Sequence, residues 1–290
     1  MYKNMQKKVK EQTAMLFQSE KMSSLGVLAA EPGEPIPPEG MVSVPGGEFR
    51  LEVFNRWREG LSHERFERGP LGQWYVTDEV VSLLPFFIDE TEVTNAQFKR
   101  FLEASGFRPR FDDNFLRHWK GGTFPPGQAD HPVVWVDLED AWAYARWAGK
   151  QIPTEAQWQA AAQGPDGRLF PWGDRNDLSR ANVGSSGPRP VGSYPEGRSP
   201  YGCLDMAGNV WEWTDSKEDD GRHWFSYLRG GSWFQPVRSA WYTEGGLLTN
   251  NQRLKLWWLS PGLNRSETIG FRCVKPIGEP TSTTDGLNQR

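Results

Sequence analysis

Cysteine is nearly absent from this 290-residue chain: Cys203 and Cys273 are the only two, too few for a disulfide scaffold. They are compatible with either a reducing or an oxidising compartment. Histidine is also scarce. His63, His118, His131 and His223 include no i,i+4 pair around a glutamate and are too scattered to suggest a three-ligand metal site. No apolar run approaches the length of a membrane span. The basic start, Met1 to Lys10, lacks the apolar stretch of a signal peptide, because Glu11, Gln12 and Glu20 interrupt the residues after it. The expectation is a cytoplasmic protein with no membrane partner. Neither charge sign dominates: 33 Lys plus Arg face 37 Asp plus Glu, so no nucleic-acid partner is expected. A Gly-x-Ser-x-Gly elbow, a phosphate-binding glycine loop, a Cys-x-x-Cys pair and a dinucleotide fingerprint are all missing.

Aromatic residues, by contrast, are plentiful at 13%, with 15 Trp. Each Trp buries a large area and carries a ring N–H able to satisfy a loop carbonyl, which suits a domain held by loop packing. Residues 5–30 are good helix formers, and 15–30 resembles the start of a sensor histidine-kinase dimerisation helix. The segment ends before the phospho-accepting His would appear, which excludes a kinase function. An arm over residues 1–31 that mediates self-association and a frayed amphipathic helix both fit. Residues 32–40 hold four prolines and read as a linker; residues 276–290 are mostly polar and read as a disordered tail. Between them, 41–275 reads as one α+β domain. Thr94 with Gln97 and Thr154 with Gln157 have capping-box spacing. Asp137 opens another helix, and Gly106 and Gly149 stand where helices should stop. Met41 to Phe49 reads as a strand, a turn and the start of a second strand, and Leu83 to Ile88, Tyr227 to Trp233 and Ile269 to Val274 are strand-like.

A series of short motifs runs through this domain. It comprises Met41-Val-Ser-Val-Pro-Gly-Gly-Glu-Phe, Ile88-Asp-Glu-Thr-Glu-Val-Thr-Asn-Ala-Gln-Phe, His131-Pro-Val-Val-Trp-Val and Ala148-Gly-Lys-Gln-Ile-Pro-Thr-Glu-Ala-Gln-Trp. Leu169-Phe-Pro-Trp-Gly-Asp, Met206-Ala-Gly-Asn-Val-Trp-Glu-Trp, Leu228-Arg-Gly-Gly-Ser-Trp and Gly270-Phe-Arg-Cys complete it. In kind and order these motifs resemble the formylglycine-generating enzymes and their paralogues, whose core is C-type-lectin-like. The resemblance implies an α+β fold with much irregular structure. It also implies a reaction in which two thiolates hold Cu(I) and activate O2, since soft ligands select that ion. Gln235 and Ala240 occupy the family's two cysteine positions here, and neither can replace a thiolate. The chain is therefore not expected to be a copper-thiolate oxidase, and no copper or iron is expected. Cys273 matches a structural disulfide position whose partner position is Ala145; Cys203 stands where the family carries an apolar residue.

The resemblance further implies a structural Ca2+ held by the Asp205 and Glu212 carboxylates and the Gly208 and Val210 carbonyls, a hard-cation oxygen set. The alternative is a metal-free turn supported by the Asn209 side chain. A second family site would use Asn182, but residues 184–189 lack its acidic member. Residues 231–265 form a long irregular excursion rich in binding-type side chains: Trp233, Phe234, Gln235, Arg238, Trp241, Tyr242, Arg253, Trp257, Trp258 and Arg265. Variable proteins of diversity-generating retroelements carry their diversified residues in the corresponding region. The expected function is a non-catalytic module for a protein, peptide or glycan ligand on a Ca2+-stabilised scaffold. A divergent oxidoreductase of the same family is the alternative.

Overall fold

The computed structural model describes residues 35–56, 74–219, 224–235, 246–257 and 264–277. The expected N-terminal arm, nearly all of the expected tail, and Arg238, Ala240, Trp241, Tyr242 and Trp258 lie outside the described residues.

Three helices are set directly by their caps. In α1 (Asn95–Ser105), Thr94 accepts from the Gln97 backbone N–H, and the Gln97 side chain accepts from the Thr94 N–H at 2.8 Å. Asp137 and Asp140 make the same reciprocal pair at the start of α2 (Leu138–Trp147), as do Thr154 and Gln157 for α3 (Glu155–Gln163). Each cap satisfies orphan donors of the first turn and contributes about 1 kcal/mol.

The strands form three sheets. β1 (Met41–Val44), β4 (Phe86–Asp89) and β9 (Val274–Pro276) make an antiparallel sheet with β4 in the centre. β2 (Gly47–Arg56) and β3 (Trp74–Leu83) make an antiparallel ribbon. The four-stranded sheet has the order β7 (Leu254–Trp257), β6 (Trp224–Arg229), β5 (Trp211–Asp219), β8 (Ile269–Gly270), antiparallel except between β5 and β8. Three expected strands are corrected. Leu83 to Ile88 splits into the end of β3 and the start of β4, because Pro85 cannot donate to a ladder. Tyr227 to Trp233 begins earlier, at Trp224, and stops at Arg229, because Gly230 and Gly231 turn the chain at φ 90° and 80°. Ile269 to Val274 is interrupted, and its ends serve different sheets.

Two apolar clusters hold these layers together. One packs Phe98 and Phe101 of α1 and Tyr144 of α2 against Trp213 and Phe271; the Phe98 ring lies 5.2 Å from Phe101, edge to face. The other packs Phe86, Ile88 and Val274 against Trp158 of α3, Met206 and Cys203. The loop joining Met206 to β5 enters both clusters, through Met206 in one and Trp211 in the other. This fixes the loop that carries the expected metal ligands.

Candidate functional site: an acid-rich loop junction and an aromatic surface

Three loops meet at Asn209. Its side-chain oxygen accepts from Asn182 Nδ2 at 3.0 Å and from the Arg189 N–H at 2.9 Å, while its Nδ2 donates to Glu92 Oε1 at 3.0 Å. Its backbone N–H reaches the Asn182 carbonyl, and its carbonyl accepts from Trp233 N–H, both at 2.9 Å. Asp205 and Asn209 both adopt left-handed backbone, at φ 58° and 56°. Asp and Asn tolerate that conformation better than other side chains, so the motif's sequence fits its turn.

Acids concentrate around this junction. Glu92, Asp205 and Glu212 are 1%, 6% and 0% exposed, and Arg272, at 0%, is the guanidinium set among them. Arg272 grips Glu212 with Nε and Nη2 at 2.7 Å each, and Trp158 Nε1 adds a third bond to the same carboxylate at 2.9 Å. Burial works against the Arg272 charge, but Glu212 more than offsets it, so its pKa is raised. The Asp205 and Glu92 carboxyls interact across this buried junction, where two like charges disfavour each other's ionised form. Burial, then Asp205 and Glu212, push the Glu92 carboxyl well above its ordinary range; burial also raises Asp205, against the Gly192 N–H and Arg272.

Were all three carboxyls ionised, one guanidinium would leave two negative charges, so the buried site calls for protons on the carboxyls or for a cation. Glu92 Oε2 and Asn182 Oδ1 are buried without a hydrogen-bond partner. In charge and donor type the residues fit a hard divalent cation. Both Glu212 oxygens are already engaged by Arg272, and Asp205 Oδ2 accepts from the Gly192 N–H at 2.6 Å. Among the described residues, no three His, Cys, Asp or Glu side chains group as a metal site, so backbone and amide oxygens would have to complete such a shell.

The aromatic residues expected at the surface separate into two groups. Phe234 is exposed at 42%, its ring edge-to-face with Trp233 at 5.6 Å, and Gln235 beside it is exposed over Gly184 and Gly246. Trp233, Arg253 and Arg265 face inward. Trp233 is 8% exposed and belongs to a small cluster with Val134 and Val210. Arg253 pairs with Glu155 and lies 3.7 Å from the Tyr227 ring. Arg265 is 4% exposed, held by Asp140 at 2.8 and 3.0 Å, by Asp137 at 3.0 Å and by the Phe111 and Asp113 carbonyls. Buried in this way, Arg265 does not present the ligand-contacting guanidinium expected of it. Trp257 pairs with Phe225 between β7 and β6.

Sequence reasoning missed Trp135 and Arg117. Trp135 is half-buried against the Trp233 cluster and adopts φ 61°, with Arg117 stacked 5.4 Å from its ring centroid. A bulky side chain in left-handed backbone is strained by about 1–3 kcal/mol. Two bonds hold it there: its N–H donates to the Ser266 carbonyl and its own carbonyl accepts from Leu116 N–H, both at 3.0 Å. Nothing in the local sequence signals this, because the partners come from distant segments.

Neither thiol is poised for chemistry. Cys203 and Cys273 are fully buried and unbridged. Burial pushes the Cys203 thiol up to about 11; burial and then Asp89 push Cys273 well above its ordinary value. Both are therefore protonated near neutrality, whereas the thiolate is the form that ligates copper.

Comparison with known proteins agrees with this geometry. The sulfatase-modifying factor enzyme 1-like domain matches residues 28–277. The inactive C-alpha-formylglycine-generating enzyme 2 of Bos taurus is 28% identical, over 83% of this chain and 89% of that protein. The serine/threonine-protein kinase pkn1 of Chlamydia caviae is 41% identical over 82% of this chain, which spans 38% of that protein's length. The structure of PvdO from Pseudomonas aeruginosa superposes with a TM-score of 0.55 at 23% identity, covering 86% of this chain and all of that one, so the mixed α+β fold is shared. Gln235, Ala240 and the likeness to an inactive relative together argue against copper-thiolate oxidase activity. On the extent of that match, this chain belongs to the family of sulfatase-modifying factor enzyme 1-like domains.

Proposed function

We propose that this domain is a non-catalytic binding module that engages a protein or peptide through the surface around Trp135, Arg117, Phe234 and Gln235. The observation that carries this reading is Trp135, held at φ 61° and half-exposed against the cluster of Trp233, whose ring meets the exposed Phe234. Strain of that kind persists where a surface is preorganised, and Trp, Phe and Arg are the side chains that concentrate binding energy. A C-type-lectin-like scaffold stiffened by Ca2+ at Asp205, Gly208, Val210 and Glu212, with Glu92 adjoining, completes the proposal. Its support is three buried carboxyls facing one guanidinium and the orphaned Glu92 oxygen. Self-association through residues 1–31, a cytoplasmic location and diversification of 233–265 are further parts of the same reading. The last requires a near-copy of that coding segment beside a reverse transcriptase.

Selection of a random peptide display library on the full chain, in calcium buffer, tests the binding claim. Enriched peptides should lose affinity by about tenfold or more with Phe234→Ala or Arg117→Ala. No enrichment, or peptides indifferent to both variants, would refute it. The same protein should melt lower after EGTA treatment. A hundredfold excess of free calcium over its Kd contributes about 2.7 kcal/mol, or roughly 5–10 °C in a domain of this size. An unchanged Tm would refute the calcium site alone.

A further inference from the structure

A second cleft, which shares no residue with the Trp135–Phe234 surface, lies between α3 and the edge of β2 that faces away from β3. Its volume is about 260 Å³, slightly below the range of drug-sized sites, about 300–1,000 Å³.

The wall is preset by an amide relay. On β2, Gln163 Nε2 donates to the Arg50 carbonyl and Gln159 Nε2 to the Glu52 carbonyl, both at 3.0 Å. Further along, the Phe54 N–H donates to the Asn251 carbonyl at 2.7 Å. Residues i and i+4 of a helix and i and i+2 of a strand are spaced alike, about 6 Å. Two glutamines on one helix face can therefore stand in for a pairing strand. Arg229 donates to Gln159, which donates to Gln163 at 2.9 Å, so each amide is oriented from behind. Gln159 and Gln163 are 1% and 5% exposed, which makes this edge rigid.

Charge selects the ligand class. Arg50 holds Asp78 in a two-point grip at 2.9 and 2.7 Å, and Arg168 holds Asp166 at 2.9 and 2.6 Å. Each lining guanidinium is thus matched by its own carboxylate. An anion entering the cleft would meet guanidiniums whose charge Asp78 and Asp166 already offset, so it gains little from them. Each guanidinium has five N–H donors, of which its carboxylate grip uses two, and carboxylates keep free lone pairs. Asn251 and Glu52 add amide and carboxylate groups, and Phe49 supplies an apolar wall. Donors and acceptors of fixed geometry, lining charges that balance as Arg50 and Arg168 against Glu52 and Asp166, and a small apolar face match alternating hydroxyls. We propose that this cleft binds a neutral polyhydroxylated ligand the size of one monosaccharide.

Saturation-transfer NMR and calorimetry on the full chain with D-glucose, D-mannose, D-galactose and N-acetyl-D-glucosamine test this, with inorganic phosphate as the anionic probe. At least one sugar should show transfer. Asp166→Asn and Asn251→Ala should each weaken it at least tenfold while the thermal transition stays intact, and Phe234→Ala should leave it unchanged. Absence of transfer from all four sugars, transfer that persists in both cleft variants, or phosphate binding that Asp166→Asn alters would each overturn the proposal. Because Phe234→Ala separates the two surfaces, failure here is distinguishable from failure of the peptide-binding reading.

Discussion

Glu212→Gln is expected to destabilise the domain by about 3–5 kcal/mol, because it removes the charge partner of a fully buried guanidinium. The glutamine amide is nearly isosteric and can still accept from Trp158, so packing is preserved and the loss isolates electrostatics. Arg272 would keep its bonds to the Asp89, Glu90 and Leu204 carbonyls, but these dipoles replace only part of the Glu212 contribution. Arg272→Met should cost a similar amount, since it leaves the Glu212 carboxylate buried beside Glu92 and Asp205 without its guanidinium. The double variant should recover much of the sum, as buried pairs replaced together by neutral groups are often close to neutral. Urea melts at neutral pH measure all three. A loss below about 1 kcal/mol for Glu212→Gln would mean the pair is better solvated than its burial implies.

Gly208→Ala carries the second large expectation. Gly208 adopts φ +82°, and a Cβ there would sit 2.6 Å from the Asn182 carbonyl oxygen and 3.0 Å from Val183 Cγ1. Left-handed backbone alone costs an alanine about 1–2 kcal/mol. The contact with backbone oxygen adds to that, because a carbonyl fixed by the Asn209 N–H cannot swing aside as a side chain can. The total comes to roughly 2–4 kcal/mol. Gly127 is the natural control. It has φ +81° with nothing within 4 Å of its Cβ position, so Gly127→Ala bears only the backbone part. If the two variants melt alike, the tight junction of the 182–192 and 205–212 loops is not rigid.

Much of the scaffold is legible in the residues themselves. The three α-helices among the described residues carry capping pairs, and the Thr94–Gln97 and Thr154–Gln157 pairs can be read without knowing the fold. The ordered motif series likewise points to the family. The β2–β3 ribbon is harder to see: its strands alternate reasonably, but residues 57–73 lie between them, and no tight-turn signal announces the pairing. The Trp211-Glu-Trp segment reads as part of a metal loop, yet it opens the central strand β5. Long-range partners explain the errors at the site. Arg265 looks like an exposed binding residue until Asp137 and Asp140, the capping pair of α2, are brought against it from more than a hundred residues away. Glu92 sits inside a family motif and gives no local sign that it will be buried against Asp205. Trp135 carries no sequence mark of its left-handed backbone.

The same distinction separates inherited fold from inherited reaction. Gln235 and Ala240 remove the two thiolates that the copper chemistry needs, and the two cysteines that remain are buried, protonated and committed to the cores. Oxygen uptake by the copper(I)-loaded full chain, incubated with a cysteine-bearing peptide, tests this most directly. The expected result is no peptide-dependent O2 consumption above that of copper free in solution. Sustained, peptide-dependent uptake that Cys203→Ser or Cys273→Ser abolishes would contradict it.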